Sequence, residues 1–321
     1  MDLSTEISDI IKKHRPLIHS ITNYVTVNDC ANALLAIGAR PVMSHAPEEA
    51  MEITSGSDGL ELNLGATEYY ESMLLSGKEA FTLGIPLLID PVGVSGSAHR
   101  RNFLKKLIEN CYPTAIRGNR SEILAMIRDE KTETGVDSVR FDANASDESL
   151  LSEMKDFCRA QKERYETKGA VHQLILICSG KTDLVASCDD TAVIDGGSSE
   201  MSGVTGTGCM SSVVMTAFIA GARMYNREIE NPENQKKHPK CMPVDKAHHE
   251  QEIQSETVKK IVSEISDFEA CVSAVRYIDA AAERAEANLN YLRKMETLPY
   301  GTFGTGSYRV LFMDQLSGFK H

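Results

Sequence analysis

The chain has 321 residues, and its 46 acidic side chains outnumber its 34 basic ones, which gives a formal net charge of −12. Nucleic acids and anionic membrane surfaces bind proteins through clustered Lys and Arg. The charge therefore argues against either partner and favours a small-molecule ligand. The sequence also lacks a run of about 18 apolar residues, the length needed to span a membrane, and its first residues lack the apolar core of a signal peptide.

The chain contains eight cysteines, and they include no C-x-x-C pair. Several lie inside apolar runs typical of strands or helices. A disulfide framework is characteristic of small secreted domains, which this long chain does not resemble. We therefore expect reduced thiols and a cytoplasmic protein.

The N-terminal region is predicted to form a short amphipathic helix that ends before Pro16, then a buried strand, then a helix that ends at Gly38. Three amides, Asn23, Asn28 and Asn32, are concentrated around the turn between the strand and the second helix. Caps and turn formers are the simpler interpretation of these amides, and contact with a ligand is the alternative.

Short strands then alternate with helices, a pattern that predicts a parallel sheet. The clearest strand lies within residues 85–93, a continuous apolar run that ends at Asp90 before a Pro/Gly turn. Ligands of such sheets bind at the carboxyl ends of the strands. Asp90 is therefore a candidate metal or phosphate ligand, and a helix cap or turn acid is the alternative.

Another strand end, within residues 114–123, presents Arg117, Asn119 and Glu122 together. Asn119 and Glu122 have the spacing of a capping box, whereas capping does not explain Arg117. An arginine at the mouth of a strand is well suited to bind phosphate. A further strand is predicted within residues 173–180, followed by a hairpin over residues 184–195 that adds an antiparallel edge.

Residues 204–209 form a glycine-rich turn that opens an apolar helix. The first amides of a helix have no intrahelical partner and favour an anion. The predicted anion-binding group is Gly206, Thr207, Gly208 and Cys209. We also expect the helix dipole to lower the pKa of the Cys209 thiol. Close backbone packing and a buried structural cysteine are the alternative interpretations.

Several of these segments, in this order, resemble the hydroxyethylthiazole kinase family. They are residues 17–23 (LIHSITN), 33–43, 89–93 (IDPVG), 117–123 and 204–209 (VTGTGC), with a weaker resemblance at 301–303 and 312–316. The resemblance implies a ribokinase-like three-layer α/β/α sandwich with a mostly parallel central sheet. It further implies ATP-dependent phosphorylation of 4-methyl-5-(2-hydroxyethyl)thiazole in thiamine salvage, a need for Mg²⁺, and a homotrimer with sites between subunits.

The resemblance also implies roles for individual residues. The implied thiazole contacts are Met43 and Gly206, the ATP contacts are Arg117 and Ser179, and the organisers of Mg²⁺ and phosphate are Asp90, Asn119 and Glu122. Cys209 occupies the position at which most ribokinase-like enzymes have the aspartate that takes the alcohol proton. The thiazole kinases, like this chain, have a cysteine at that position. Phosphoryl transfer depends mainly on positioning and charge neutralisation, so a weaker base is acceptable at this position.

The chain departs from the family pattern at several places. Ser179 replaces a more usual Thr, Lys181 replaces an acidic residue, and Thr134 stands where a Lys usually precedes the glycine. The largest departure is a polar segment at about residues 226–255, whose composition predicts a surface insertion or disorder. We interpret the chain as a single kinase domain spanning residues 1–321 with this segment as a surface insertion.

The polar segment contains possible zinc ligands, His238, Cys241, His248 and His249, but their spacing matches no standard zinc site.

Other functions remain open at the sequence level. Cys209 could be the nucleophile of a hydrolase or transferase with His19 or His45 as its base, although the 117–122 element argues for a kinase. A non-catalytic protein that binds thiazole or nucleotide is a second alternative. Within the kinase class, a pyrimidine or pyridoxal kinase of the same superfamily is the runner-up.

Overall fold

The computed structural model describes residues 2–131, 146–230, 264–295 and 303–318. The zinc-ligand candidates at 238, 241, 248 and 249 and the departure at Thr134 lie outside these ranges. Most of the predicted polar insertion, residues 231–255, lies outside them as well. Residues 226–230, which we assigned to the insertion, form the last turn of a helix.

One eight-stranded sheet forms the centre of the described chain, in the order β2-β1-β3-β4-β5-β6-β7-β8. The strands are β1 Leu17–Ile21, β2 Arg40–Val42, β3 Gly59–Asn63, β4 Leu87–Asp90, β5 Ala115–Asn119, β6 Ile175–Ser179, β7 Thr182–Ala186 and β8 Thr191–Asp195. Strands β1 to β6 are parallel to one another. The predicted hairpin is present, since β7 is antiparallel to both β6 and β8.

Helices cover both faces of the sheet. They are α1 Leu3–His14, α2 Val27–Ala36, α3 Pro47–Ser55, α4 Tyr70–Leu83, α5 Ala98–Cys111, α6 Arg120–Arg128, α7 Asp147–Thr167, α8 Thr207–Glu230, α9 Asp267–Met295 and α10 Thr305–Leu316. Helices α1, α2, α8, α9 and α10 pack on one face, and α3 to α7 pack on the other. The predicted three-layer α/β/α sandwich with a mostly parallel sheet is confirmed.

Helix α8 is the central helix of its layer and is buried almost continuously from Cys209 to Ala222. It contacts β1, β3 and β4 on one side and α1, α2 and α9 on its others. This position explains its unbroken apolar sequence, since a helix surrounded by other elements has no solvent-facing stripe. Among the described helices, none is both long and apolar enough to cross a membrane.

The parallel strands bring several polar residues to one edge of the sheet. Asn63 ends β3, Asp90 ends β4, Asn119 ends β5 and Ser179 ends β6. The strand register pairs Asn63 with Asp90 and Asn119 with Ser179. The first turn of α8 lies against this edge, since Asn63 Nδ2 donates to Cys209 Sγ at 3.2 Å. The edge and the helix N-terminus together form the candidate site.

Candidate active site

The N-terminus of α8 is shaped by a glycine with a positive φ. Gly206 has a φ of +88°, and a Cβ at this position would lie 2.8 Å from Thr26 Cγ2. Met210 N donates to Gly206 O at 2.8 Å. The N–H groups of residues 207–209 precede that bond, and no carbonyl within the helix accepts a hydrogen bond from them. Their arrangement fits the predicted anion-binding turn.

Arg117 lies against the same turn. Its Nη1 donates to Gly208 O at 2.9 Å, which holds the guanidinium beside the first turn of α8. On the next strand, Ser179 Oγ donates to Gly118 O at 3.3 Å. The two candidate ATP contacts therefore occupy neighbouring strand ends, whereas Lys181 is exposed in the turn between β6 and β7.

The Cys209 thiol lies within a cluster of amides. Its Sγ accepts hydrogen bonds from Asn63 Nδ2 at 3.2 Å and from Asn23 Nδ2 at 3.7 Å. Burial, and then the charge of Asp90, raise the pKa of the thiol to about 12. Our expectation of a lowered pKa is wrong, because loss of solvent at this position outweighs the helix dipole. Cys209 is a neutral thiol near neutral pH.

The two histidines that a Cys209 nucleophile would need do not contact it. Both ring nitrogens of His19 are taken by 2.9 Å hydrogen bonds to the segment 44–54, on the sheet face opposite α8. His45 stacks on Tyr69, with ring centroids 4.2 Å apart. The geometry therefore does not support a cysteine-dependent hydrolase that uses either base.

Glu122 links the start of α6 to the turn after β4. The predicted capping box is present, since Asn119 Oδ1 accepts from Glu122 N at 2.9 Å and Glu122 Oε2 accepts from Asn119 N at 3.0 Å. Glu122 Oε1 accepts from Gly93 N at 2.9 Å. Burial, followed by the charge of Asp90, raises the pKa of Glu122 to about 7. The carboxyl of Glu122 is thus held next to a second buried acid.

That second acid, Asp90, makes its hydrogen bonds to side chains of other elements. Its Oδ2 accepts from Ser212 Oγ at 2.9 Å and from Asn63 Nδ2 at 3.3 Å. Burial raises the pKa of Asp90, and the nearby Arg117 opposes that rise. These partners place Asp90 at the contact between β4, β3 and α8 rather than at a helix cap.

The donor set at this edge fits the implied Mg²⁺. Asp90 and Glu122 are buried acids whose negative charges repel each other. A divalent cation bound beside them would offset this electrostatic repulsion. Mg²⁺ prefers oxygen ligands and usually retains water and substrate phosphate oxygens. No cluster of three or more His, Cys, Asp or Glu that could hold a metal occurs in the described chain. The residues therefore fit a Mg²⁺ that is shared with a phosphate, with Asn119 fixing Glu122 through the cap.

Sequence reasoning missed two residues of the site, Asn63 and Ser212. Asn63 belongs to no motif, and its only signal is that a polar residue ends an apolar strand. Ser212 is one turn into α8, where its hydroxyl also contacts Gly208 O at 3.3 Å. Met43 follows β2 at the same edge of the sheet, with β1 between it and β3, and it packs partly buried on the α8 side.

Comparison with known proteins identifies the family to which this chain is similar. The profile described as "Hydroxyethylthiazole kinase family" matches residues 8–232. A hydroxyethylthiazole kinase of Alkaliphilus metalliredigens is 38% identical over 224 residues, which cover 68% of this chain and 76% of that protein. One of Clostridium beijerinckii is 36% identical over 217 residues, which cover 67% of this chain and 75% of that protein.

A solved structure is similar along the whole chain. A hydroxyethylthiazole kinase protein from Pyrococcus horikoshii OT3 superposes with a TM-score of 0.70 at 24% identity, covering 100% of this chain and 95% of the other. This likeness shows the fold, and it agrees with the three-layer α/β/α architecture predicted from the sequence. On the extent of the profile match and the identity to its relatives, this chain belongs to the hydroxyethylthiazole kinase family.

Proposed function

We propose that this chain transfers the γ-phosphoryl group of ATP to the hydroxyl of 4-methyl-5-(2-hydroxyethyl)thiazole, a step of thiamine salvage. The observation that carries the chemistry is the open N-terminus of α8 with Arg117 held on Gly208 O at 2.9 Å. The curated relatives, which are named hydroxyethylthiazole kinases, supply the substrate.

In this proposal some residues of the site stabilise negative charge during phosphoryl transfer, and others position the two substrates. The transition state spreads negative charge over the oxygens of the transferred group. The amides of residues 207–209 and the guanidinium of Arg117 stabilise this charge, and Ser179 contacts the nucleotide. Met43 and Gly206 contact the thiazole. Cys209 orients the alcohol through its neutral thiol. The alcohol proton passes to an oxygen of the transferred phosphoryl group as the bond to phosphorus forms, so no base is required at this position.

Mg²⁺ is the second part of the proposal, and it would neutralise phosphate charge at Asp90 and Glu122. We expect Glu122→Gln to lower kcat by about 10²-fold or more while thiazole affinity stays within about threefold, because the metal acts on the phosphoryl group rather than on the thiazole. Steady-state kinetics and calorimetric titration with thiazole measure the two effects. Glu148→Gln, an exposed change on α7, is the control. Equal losses of turnover and thiazole binding would contradict a metal role.

The assembly and compartment are also part of the proposal. We propose a homotrimer with active sites between subunits, since Tyr24 and Val25 next to the site are apolar or aromatic and 78% and 57% exposed. Exposed apolar side chains grouped on a surface mark interaction sites, and these two neighbours would form part of such a contact. We propose a cytoplasmic location, which the free thiols of the described cysteines support.

An ADP-release assay with three alcohols tests the function. The purified chain, ATP and Mg²⁺ are combined with the thiazole alcohol, with a hydroxymethylpyrimidine or with pyridoxal. We expect the thiazole alcohol to give the highest kcat/KM by at least about tenfold. A preference for either of the others would reassign the substrate within the superfamily. Product release without ATP, or a covalent adduct on Cys209, would replace the kinase with cysteine chemistry.

A further inference from the structure

Asn63 lies between two groups of the site that belong to different elements. It ends β3 and is completely buried, with 0% of its surface exposed. Its Nδ2 donates to Cys209 Sγ at 3.2 Å and to Asp90 Oδ2 at 3.3 Å. A carboxamide nitrogen carries two hydrogens, so it can serve both acceptors at once. One side chain therefore connects the first turn of α8 to the end of β4.

The orientation of this carboxamide is fixed by its oxygen. Asn63 Oδ1 accepts from Gly65 N at 3.0 Å and from Asn23 Nδ2 at 3.2 Å. Both partners are obligate donors, so the oxygen must face them and the nitrogen must face Cys209 and Asp90. The turn can approach this closely because residue 65 is glycine, where a Cβ would lie 2.8 Å from Asn63 Oδ1.

Asn23, two residues after the end of β1, reinforces the same arrangement. Its Oδ1 accepts from Val25 N at 3.1 Å and from Thr26 N at 3.2 Å, so it is the turn former that the sequence predicts. Its nitrogen, with the oxygen fixed in this way, points to Asn63 Oδ1 and to Cys209 Sγ. The orientation of Asn63 thus depends on two backbone turns rather than on a free rotamer.

We propose that Asn63 is a positioning residue that sets the separation between Cys209 and Asp90. This inference rests on the proposed kinase function of the site. In that function Cys209 orients the attacking alcohol, and Asp90 organises the phosphate end. Reacting atoms must be held close to their attack geometry, and a displacement of about 1 Å costs on the order of 10²-fold in rate. Asn63 provides this restraint through its hydrogen bonds to Cys209 and Asp90.

The test uses Asn63→Asp in the full-length chain. Asp has the same shape and retains both acceptor bonds to Gly65 and Asn23, but it lacks the two hydrogens that reach Cys209 and Asp90. We expect kcat to fall about 10²-fold while KM for ATP and for thiazole stays within about threefold. Asn102→Asp, an exposed change on α5, is the matched control and should have wild-type kinetics. Asn63→Ser, which adds no charge, is the second variant if Asn63→Asp does not fold.

Two further measurements separate positioning from general damage. In a double-mutant cycle, Asn63→Asp should cost far less in a Cys209→Ala background, because part of its effect passes through that thiol. Crystal structures of Asn63→Ser without nucleotide or metal should show the Cys209 side chain moved relative to Asp90 with the backbone unchanged. An unchanged Cys209 to Asp90 separation, or an equal cost in both backgrounds, would overturn the proposal. If the wild-type chain is inactive on thiazole, the proposed function is refuted instead. The role of Asn63 in setting the separation is still tested in that case, because the crystallographic comparison does not depend on enzymatic activity.

Discussion

Cys209 shows how the surroundings of one residue change the role that its position implies. A cysteine in the first turn of a helix usually gains thiolate character. Here the thiol is only 9% exposed and lies near the buried Asp90, and its pKa is raised to about 12. The two amides that donate to Sγ stabilise the thiolate less than burial disfavours it. The residue therefore orients the alcohol through a neutral thiol and does not act as a base.

This interpretation predicts the effect of two substitutions at Cys209. Cys209→Ala should lower kcat on the order of 10²-fold and leave ATP-dependent activity, because positioning by the α8 turn and Arg117 remains. Cys209→Asp should retain or recover activity, since a carboxylate can accept the alcohol proton. Phosphorylation of the thiazole alcohol by both variants is measured at saturating ATP.

The two variants also separate a group that orients the alcohol from a nucleophile. Loss of a nucleophile reduces the reaction to background, and an Asp cannot restore the covalent chemistry of a thiol. If the Asp variant is inactive although it folds and binds both ligands, the placement of residue 209 beside the attacking alcohol is wrong.

Residues of the site differ in how far the sequence can predict them. Arg117, Asp90 and Glu122 are predicted because each lies near the end of a recognisable strand, and parallel strands end at one edge. Asn63 is not predicted, because its role depends on the register that sets it opposite Asp90 and on an oxygen held by two turns. Side-chain orientation of this kind has no local sequence signal.

At the level of elements, the start of α8 can be predicted from the sequence, whereas its end cannot. The start is visible in the sequence as the turn at residues 204–209. The end is not, since the polar composition after Tyr225 predicts a loop whereas the helix continues to Glu230. Asn226 explains the difference, because its side chain accepts from Ile265 N and donates to Ile265 O, both at 2.9 Å. A tertiary partner keeps this polar turn helical.

The turn before α8 gives a prediction at the scale of one element. Gly206→Ala should lower the free energy of unfolding by about 1–3 kcal/mol, because a side chain is strained at a φ of +88° and its Cβ would clash with Thr26. kcat/KM for ATP should fall as the amides of residues 207–209 move. Urea unfolding and steady-state kinetics measure both effects.

The control for this prediction is Gly306→Ala in α10, where a Cβ would meet no atom within 4 Å. This change should leave stability equal or slightly higher, since Ala has the better helix propensity. Similar losses at both glycines would show that the turn at Gly206 has no special requirement.

At the scale of the whole molecule, we propose that the polar segment is separable from the kinase core. The family profile ends at residue 232, inside the segment predicted at about residues 226–255. The helices on either side of the segment, α8 and α9, are held together by polar contacts. Arg223 Nη2 pairs with Asp267 Oδ2 at 2.6 Å, and the Asn226 side chain binds the backbone of Ile265. The chain thus leaves α8 and returns to α9 at one fixed place, and we propose that the segment is an insertion at that junction.

Deletion of residues 231–254 tests this proposal. We expect the shortened chain to keep its thermal stability within a few degrees and its thiazole kinase activity within about threefold, because a polar segment contributes little to the core. Calorimetry, light scattering and the ADP-release assay are applied to both chains. Loss of folding, of assembly or of activity would show that the segment belongs to the kinase unit.

The assembly gives the last prediction, which compares two valines of almost equal exposure. Val25 is 57% exposed and precedes Thr26, which contacts the Gly206 turn, whereas Val193 is 56% exposed on the edge strand β8. In the proposed trimer the surface around Val25 is covered by a neighbouring subunit, so Val25→Glu places a charge in an apolar contact, which is costly to bury. We expect Val25→Glu to shift the molecule towards monomers and to lower kcat/KM for thiazole by at least about tenfold, while Val193→Glu changes neither. Light scattering over a range of concentrations and kinetics at the same concentrations measure this. A wild-type monomer with full activity, or a Val25→Glu trimer with wild-type kinetics, would remove the subunit interface from the site.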